Sequence, residues 1–217
     1  MRDYSIFDSY LNQLTADVYA QPPDAGHTAW ALHAIATLCA IPQGLTNVLD
    51  VGCGQGFLQP VFKGRGLDWT GVCLGEDYQI AKERGLKVHE ADMTFLPFQD
   101  GTFDLVFARH VLEHSPFPVI TLMEWKRVVR AGGFLIVIAP APAYWQVRGR
   151  NHYSVLSQKQ LAWLMIRAGW NPIHDHAMTT RSEIFIRHTP ASPAWQDQDE
   201  MDVEYRFLCE QRPPVLE

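Results

Sequence analysis

Cysteine is scarce and unpatterned in this chain. Its four copies, Cys39, Cys53, Cys73 and Cys209, form no C-x-x-C pair, which fits free thiols in a reducing cytoplasm. The opening stretch, MRDYSIFDSYLNQL, lacks the continuous apolar core of a signal peptide. Long hydrophobic runs are also missing: the longest candidate, GGFLIVIAPAPAYW, is broken by prolines and falls short of the roughly 20 residues of a membrane span. Basic residues are outnumbered, 18 Lys and Arg against 24 Asp and Glu, for a net charge of −6. A molecule of that charge has no overall field to gather nucleic acid or anionic lipid, so neither is an expected partner. There is no repeat of fixed period and no low-complexity tract.

What is present is a globular chain. Apolar residues make up 47% of the 217 residues and charged ones only 19%, enough to bury one substantial core. Residues 1 to about 20 carry Ile6, Phe7, Tyr10, Leu11 and Leu14 at helical spacing until QPPDAG interrupts them, and His27 to Ala40 reads as an alanine-rich helix. From residue 47 short apolar runs alternate with helical patterns. Strands are expected at 47–51, 69–74, 86–90, 103–108 and 133–139, with helices at 55–63, 77–84, 117–130 and 157–168, the last capped by Ser157 and stopped by Gly169. PIHDHAMT and EIFIRH then read as a closing antiparallel hairpin. The alternation predicts an α/β fold: a Rossmann-like three-layer sandwich with a mostly parallel seven-stranded sheet closed by that hairpin. Three regions follow: an N-terminal helical lid at 1–45, a core at 46–189 and a polar C-terminal tail at 190–217.

The most informative stretch is VLDVGCGQGF, residues 48–57, in which a buried strand ends in Asp50, Gly52, Gly54 and Gly56. Glycines at the carboxyl end of a parallel strand bring bare main chain up to a ligand in the crevice above the sheet. Gly56 suits close packing of the next helix. The spacing is G-x-G-x-G rather than the G-x-G-x-x-G of dinucleotide folds, which disfavours a nicotinamide oxidoreductase.

With LDVGCGQG, ADMTFLPFQDGTFDLVFARHVLEH and EWKRVVRAGGFLIVIAP, the chain resembles the class I S-adenosylmethionine-dependent methyltransferases over roughly residues 46–188, and most of all a small-molecule branch with VLEH after strand four. The resemblance implies S-adenosylmethionine as cofactor and a small-molecule methyl acceptor. It implies that Asp50 and the backbone at Gly52 and Gly54 face the methionine end, that Asp92 accepts from the adenine amino group beside Met93, and that the Ala108 main chain lies near the methionine amine.

One position departs from the family. The second strand normally ends in Asp or Glu, which accepts from both ribose hydroxyls, and here Cys73 stands there. A thiol is a weak acceptor; losing such bonds costs on the order of 1.5 to 3 kcal/mol unless Glu76 or Asp77 substitutes. The competing reading of both acids is that they favour a helix N-terminus.

No catalytic residue stands out, because transfer from a sulfonium asks mainly for alignment and exclusion of water. His110, just past strand four, is a candidate base. Tyr19 from the lid and His152 with Tyr153 from the loop after strand five are candidates for the acceptor pocket. His114 reads as a capping or packing residue. Tyr144, Trp145, Arg148 and Arg150 suit an anionic or stacked ligand but equally a solvated loop. His174 and His176 lack a third ligand, so no metal is expected. Two functions remain: methyl transfer to an O, N or C nucleophile, or a non-catalytic protein keeping this fold as a binding or regulatory module.

Overall fold

The computed structural model describes residues 5–15, 32, 42–142, 151–179 and 202–211, without the side chains of 173–179 and 202–206. Seven strands form one sheet: β1 (Asn47–Val51), β2 (Asp68–Cys73), β3 (Val88–Glu90), β4 (Phe103–Arg109), β5 (Val129–Pro140), β6 (Trp170–Thr179) and β7 (Asp202–Gln211), in the order β3-β2-β1-β4-β5-β7-β6. The first five run parallel, whereas β7 pairs antiparallel with both β5 and β6. The expected α/β sandwich is what the chain forms.

Period-two alternation explains both faces. Leu49, Val51, Val106, Ala108, Leu135 and Val137 face one layer, which α4 (Pro118–Val128) and α5 (Gln158–Arg167) complete with Leu122, Trp125, Val128, Leu161 and Met165. Val48, Leu105, Phe107, Ile136 and Ile138 face the other, against Phe62 of α2 (Gln59–Gly64) and the ring of Tyr78 in α3 (Gly75–Glu83). Central strands buried on both faces are apolar over most of their length, which is why DLVFA and FLIVIA read as strands. At α5 the Ser157 hydroxyl accepts from the Gln160 main-chain N–H while the Gln160 side chain accepts from Ser157 N, a complete capping box.

Two features differ from the sequence reading. The strand that closes the sheet is Asp202–Gln211, from the segment expected to be a polar tail; its run Phe207, Leu208 and Cys209 is buried against β5. The EIFIRH segment proposed for that role lies outside the described residues, as does the helix expected at His27–Ala40 apart from exposed Leu32. The first helix after β1 starts at Gln59 rather than 55, since residues 52–58 make turns through Gly52, Gly54 and Gly56, all at positive φ, and Pro60 sits in the first helical turn. Among the described residues, no helix is long and apolar enough to cross a membrane.

At the N-terminus, α1 (Ser5–Thr15) sets the ring of Phe7 5.9 Å from that of Phe117, the residue preceding α4. The helix therefore reaches the end of the sheet where β4 terminates.

Candidate functional site

The strand order reverses at β1: β2 lies on one side and β4 on the other, with the helices that follow β1 and β4 on opposite faces. Such a switch point opens a crevice at the carboxyl ends of the strands. The glycine loop crosses it. Gly52 N and Cys53 N both donate to Val72 O, at 2.8 and 3.0 Å, so the loop leans toward β2. A Cβ on Gly52 would drive into the Val111 methyl group, so the loop also packs against the turn after β4. Gly54 has the opposite surroundings. The nearest atoms to a Cβ there are Asp77 Oδ2 and a Phe57 ring carbon, both at 3.9 Å, which is ordinary contact distance, so a side chain there would clash with nothing. Gly56 provides close packing, since a Cβ would meet the Leu86 side chain.

Asp50 lies beneath this loop. It is 2% exposed and accepts from the Trp69 indole N–H at 3.0 Å. Burial raises its carboxyl to about 7, against the opposing effect of that hydrogen bond. Cys73 is buried at the end of β2 and near Cys53, whose thiol is pushed well up by its bond with Cys73 and by burial. Of the two acids offered as substitutes, Glu76 is exposed, while Asp77 is buried and accepts from Gln55 Nε2 at 3.1 Å. Gln55, in turn, accepts from Arg84 at its main-chain oxygen, so α3 braces the glycine loop. Sequence reading missed Gln55 and this bracing.

Asp92 and Met93 follow β3, both half-buried. Asp92 Oδ1 accepts from Thr94 N at 2.6 Å, and Met93 O accepts from the Trp125 indole at 3.0 Å, which pins the loop to α4. Ala108 sits in β4 opposite Val51 of β1 and Val137 of β5, with its side chain buried. His110 comes two residues later at φ 52, and among the described residues no other non-glycine has positive φ. A residue in that region is uncommon and costs conformational energy, a feature concentrated at functional sites.

Beyond His110 the chain makes a 3₁₀ turn, Leu112–His114, and the loop after β5 docks onto it. Tyr153 N and Ser154 N both donate to Glu113 O, at 2.7 and 2.9 Å, and Ser154 Oγ donates to Ser115 O at 2.5 Å. His114 Nδ1 lies 3.2 Å from Asn151 O, and its ring is 4.9 Å from that of His152. Burial lowers the His114 pKa, and neighbouring His152 lowers it further. His114 thus joins the two segments instead of capping a helix. Ser115 Oγ is hydrogen-bonded to Thr121 Oγ1 at 2.7 Å, and Thr121 Oγ1 to Thr94 Oγ1 at 2.9 Å, with either hydroxyl able to donate. This buried hydroxyl chain links the loop of Asp92 to the loop of His152. No motif announced it, since Ser115 and Ser154 are 39 residues apart.

Of the remaining candidates, Tyr153 is exposed and His152 half-buried, while Tyr19, Tyr144, Trp145, Arg148 and Arg150 lie outside the described residues. His174 and His176 belong to β6, with side chains outside them.

Residues 49–137 match the methyltransferase domain family. Over that segment the chain is similar to methyltransferase domains. An uncharacterized methyltransferase from Mycobacterium sp. (strain JLS) is 37% identical over 99 residues, covering 44% of this chain and 39% of that relative. The chain thus spans about two fifths of that relative's length. A ubiquinone biosynthesis O-methyltransferase from Colwellia psychrerythraea is 25% identical over 187 residues, covering 75% of this chain and 73% of that relative. The crystal structure of a SAM-dependent methyltransferase from Archaeoglobus fulgidus superimposes with a TM-score of 0.66 at 17% identity, over 85% of this chain and 94% of that one, a likeness of fold. The family implies S-adenosylmethionine as methyl donor.

Proposed function

We propose that the chain is an S-adenosylmethionine-dependent methyltransferase acting on an O, N or C nucleophile of a small molecule. The observation that carries this reading is the glycine loop at positive φ across the reversal of strand order, where a Cβ on Gly54 would meet Asp77 Oδ2 and the Phe57 ring only at ordinary contact distance, 3.9 Å. The name of the Colwellia relative favours an oxygen nucleophile.

In this reading Gly52 and Gly54 give the methionine end its main-chain wall, and the Ala108 main chain borders the amine. Asp92 accepts from the adenine amino group, with Met93 along the ring. Asp50, held under the loop by Trp69, fixes the loop's path. Asp77 takes the ribose-facing role that Cys73 cannot fill, because its carboxylate lies beside Gly54, with Oδ2 3.9 Å from where a Cβ would stand.

Bound S-adenosylmethionine supplies a methyl group already activated by its sulfonium. The chain's task is alignment, dryness and proton removal. His110 is the candidate to take the acceptor's proton, His152 and Tyr153 form a wall of the acceptor pocket, and α1, whose Phe7 meets Phe117, belongs to its lid.

Cys73 favours one competing reading, a binding module that keeps the fold without turnover. Calorimetric titration with S-adenosylmethionine and S-adenosylhomocysteine separates the two. Micromolar binding by the native chain, weakened about tenfold in Asp77→Asn by loss of a charged acceptor, is expected of the enzyme. Binding gained only in Cys73→Asp would favour the module, and absence of binding in both would sink the cofactor assignment.

A further inference from the structure

Glu113, His114 and His152 each offer one ligand atom, and these atoms all lie within 4.8 Å of one another. Glu113 is 1% exposed, an unusual depth for a carboxylate, and its Oε1 is 4.0 Å from His114 Nε2. Two further features suit ligation. With its proton on Nδ1, His114 donates to Asn151 O, which leaves the Nε2 lone pair on the Glu113 side; metal-bound histidines are characteristically oriented by such a bond. The three residues are also held together before any ion arrives. The two bonds from Tyr153 N and Ser154 N to Glu113 O, with the bond from Ser154 Oγ to Ser115 O, fasten the His152 segment directly to the 3₁₀ turn.

From this arrangement we infer that Glu113, His114 and His152 form a binding site for a divalent transition metal of the zinc class, where the loop after β5 docks on the turn after β4. Two imidazoles and one carboxylate are a borderline nitrogen and oxygen donor set, suited to zinc or cobalt and poorly suited to calcium, which takes six to eight oxygens. Ligand bonds of about 2.0 to 2.2 Å require the three atoms to draw together by on the order of 1 Å, within reach of side-chain adjustment. Three protein ligands leave a coordination position open to water or to an oxygen of a small molecule. His174 and His176 play no part in it. The inference is independent of methyl transfer, since metal binding is measured without cofactor.

The test is titration of the whole chain, stripped with chelator and dialysed, with Zn²⁺ by calorimetry and with Co²⁺ by visible absorption. One equivalent is expected, with a Co²⁺ band in the visible and a melting temperature raised by Zn²⁺. His152→Ala and Glu113→Gln should each lose at least about tenfold in affinity, by analogy with losses of 10–100-fold for groups that only support a ligand. Far-UV circular dichroism and a cooperative melt show whether each variant is folded, and His152→Ala, at a half-buried position, is the more secure of the two. Failure of the native chain to bind either ion overturns the site. So does binding unchanged in folded His152→Ala, or binding lost instead in a His174→Ala, His176→Ala double variant.

Discussion

On the side of the crevice that faces β2, the chain presents main chain: Gly52 and Gly54 at positive φ, a carboxylate tucked beneath at Asp50, and a brace from Gln55 to Asp77. On the side that extends from β4, it presents side chains: His110 on a left-handed backbone, then Glu113, His114 and Ser115 joined to Asn151, His152 and Ser154. The first half is built from residues adjacent in sequence and lies where every protein of this topology has its switch point. The second joins segments nearly forty residues apart. In the proposed reading, a cofactor common to a whole family would be met by local, repeatable backbone, and an acceptor peculiar to one member by long-range side-chain contacts.

The largest expected effect breaks the first half against itself. Gly52→Ala would place a Cβ into Val111 as well as strain a left-handed backbone, and should cost about 2 to 4 kcal/mol in urea unfolding, with cofactor binding lost. Gly54→Ala, with nothing nearer than 3.9 Å, should cost only about 1 to 2 kcal/mol through the backbone, yet still weaken binding of S-adenosylhomocysteine. Equal stability losses in the two variants would mean that the glycines share one packing role.

Asp50 offers a second way to sharpen the contrast, through pH. Its folded carboxyl sits at about 7, above the ordinary 3.8, so the folded chain holds a proton that the unfolded chain has released between those values. The contribution to stability is complete below about pH 4 and is lost as pH rises through 7, at up to about 1.4 kcal/mol per pH unit. Asp104 works in the other direction. Burial would raise its carboxyl, but bonds from Arg130, Thr46 and Asn47 hold it near 2, so its contribution disappears only as pH falls below the ordinary carboxylate range. Urea midpoints for native and Asp50→Asn chains between pH 4 and 8 should therefore diverge: the native curve declines relative to the variant's up to pH 7 and runs level above it. Parallel curves would show that Asp50 is ionised in the fold at low pH.

The same division governs what could be read in advance. The five parallel strands and the glycine loop were legible because each is a local pattern: an apolar run, then glycines, then a helical period. Cys73 was identifiable as a departure because its strand was. The closing strand was not, since DVEYRFLCEQ reads as acidic tail and acquires meaning only from β5, more than sixty residues earlier, which buries Phe207, Leu208 and Cys209. His114 and His152 were each visible singly; their approach was not, because nothing in their spacing encodes the docking of one loop on another.

The smallest expected effect falls on that docking. Ser154 Oγ donates to Ser115 O in a buried setting, and Ser115 Oγ continues to Thr121 and Thr94. Ser154→Ala deletes one donor but spares the two main-chain bonds to Glu113 O, so the unfolding free energy should fall by only about 1 kcal/mol, with an unpaired buried carbonyl setting the upper limit near 3. The informative readout is local. Amide hydrogen exchange should accelerate in 151–156 and 112–115 together, because the two segments are held by shared bonds, while the glycine loop at 52–58 remains protected as in the native chain. Exchange that accelerates equally in all three would show one cooperative unit, and the distinction between a main-chain half and a side-chain half would then describe composition alone.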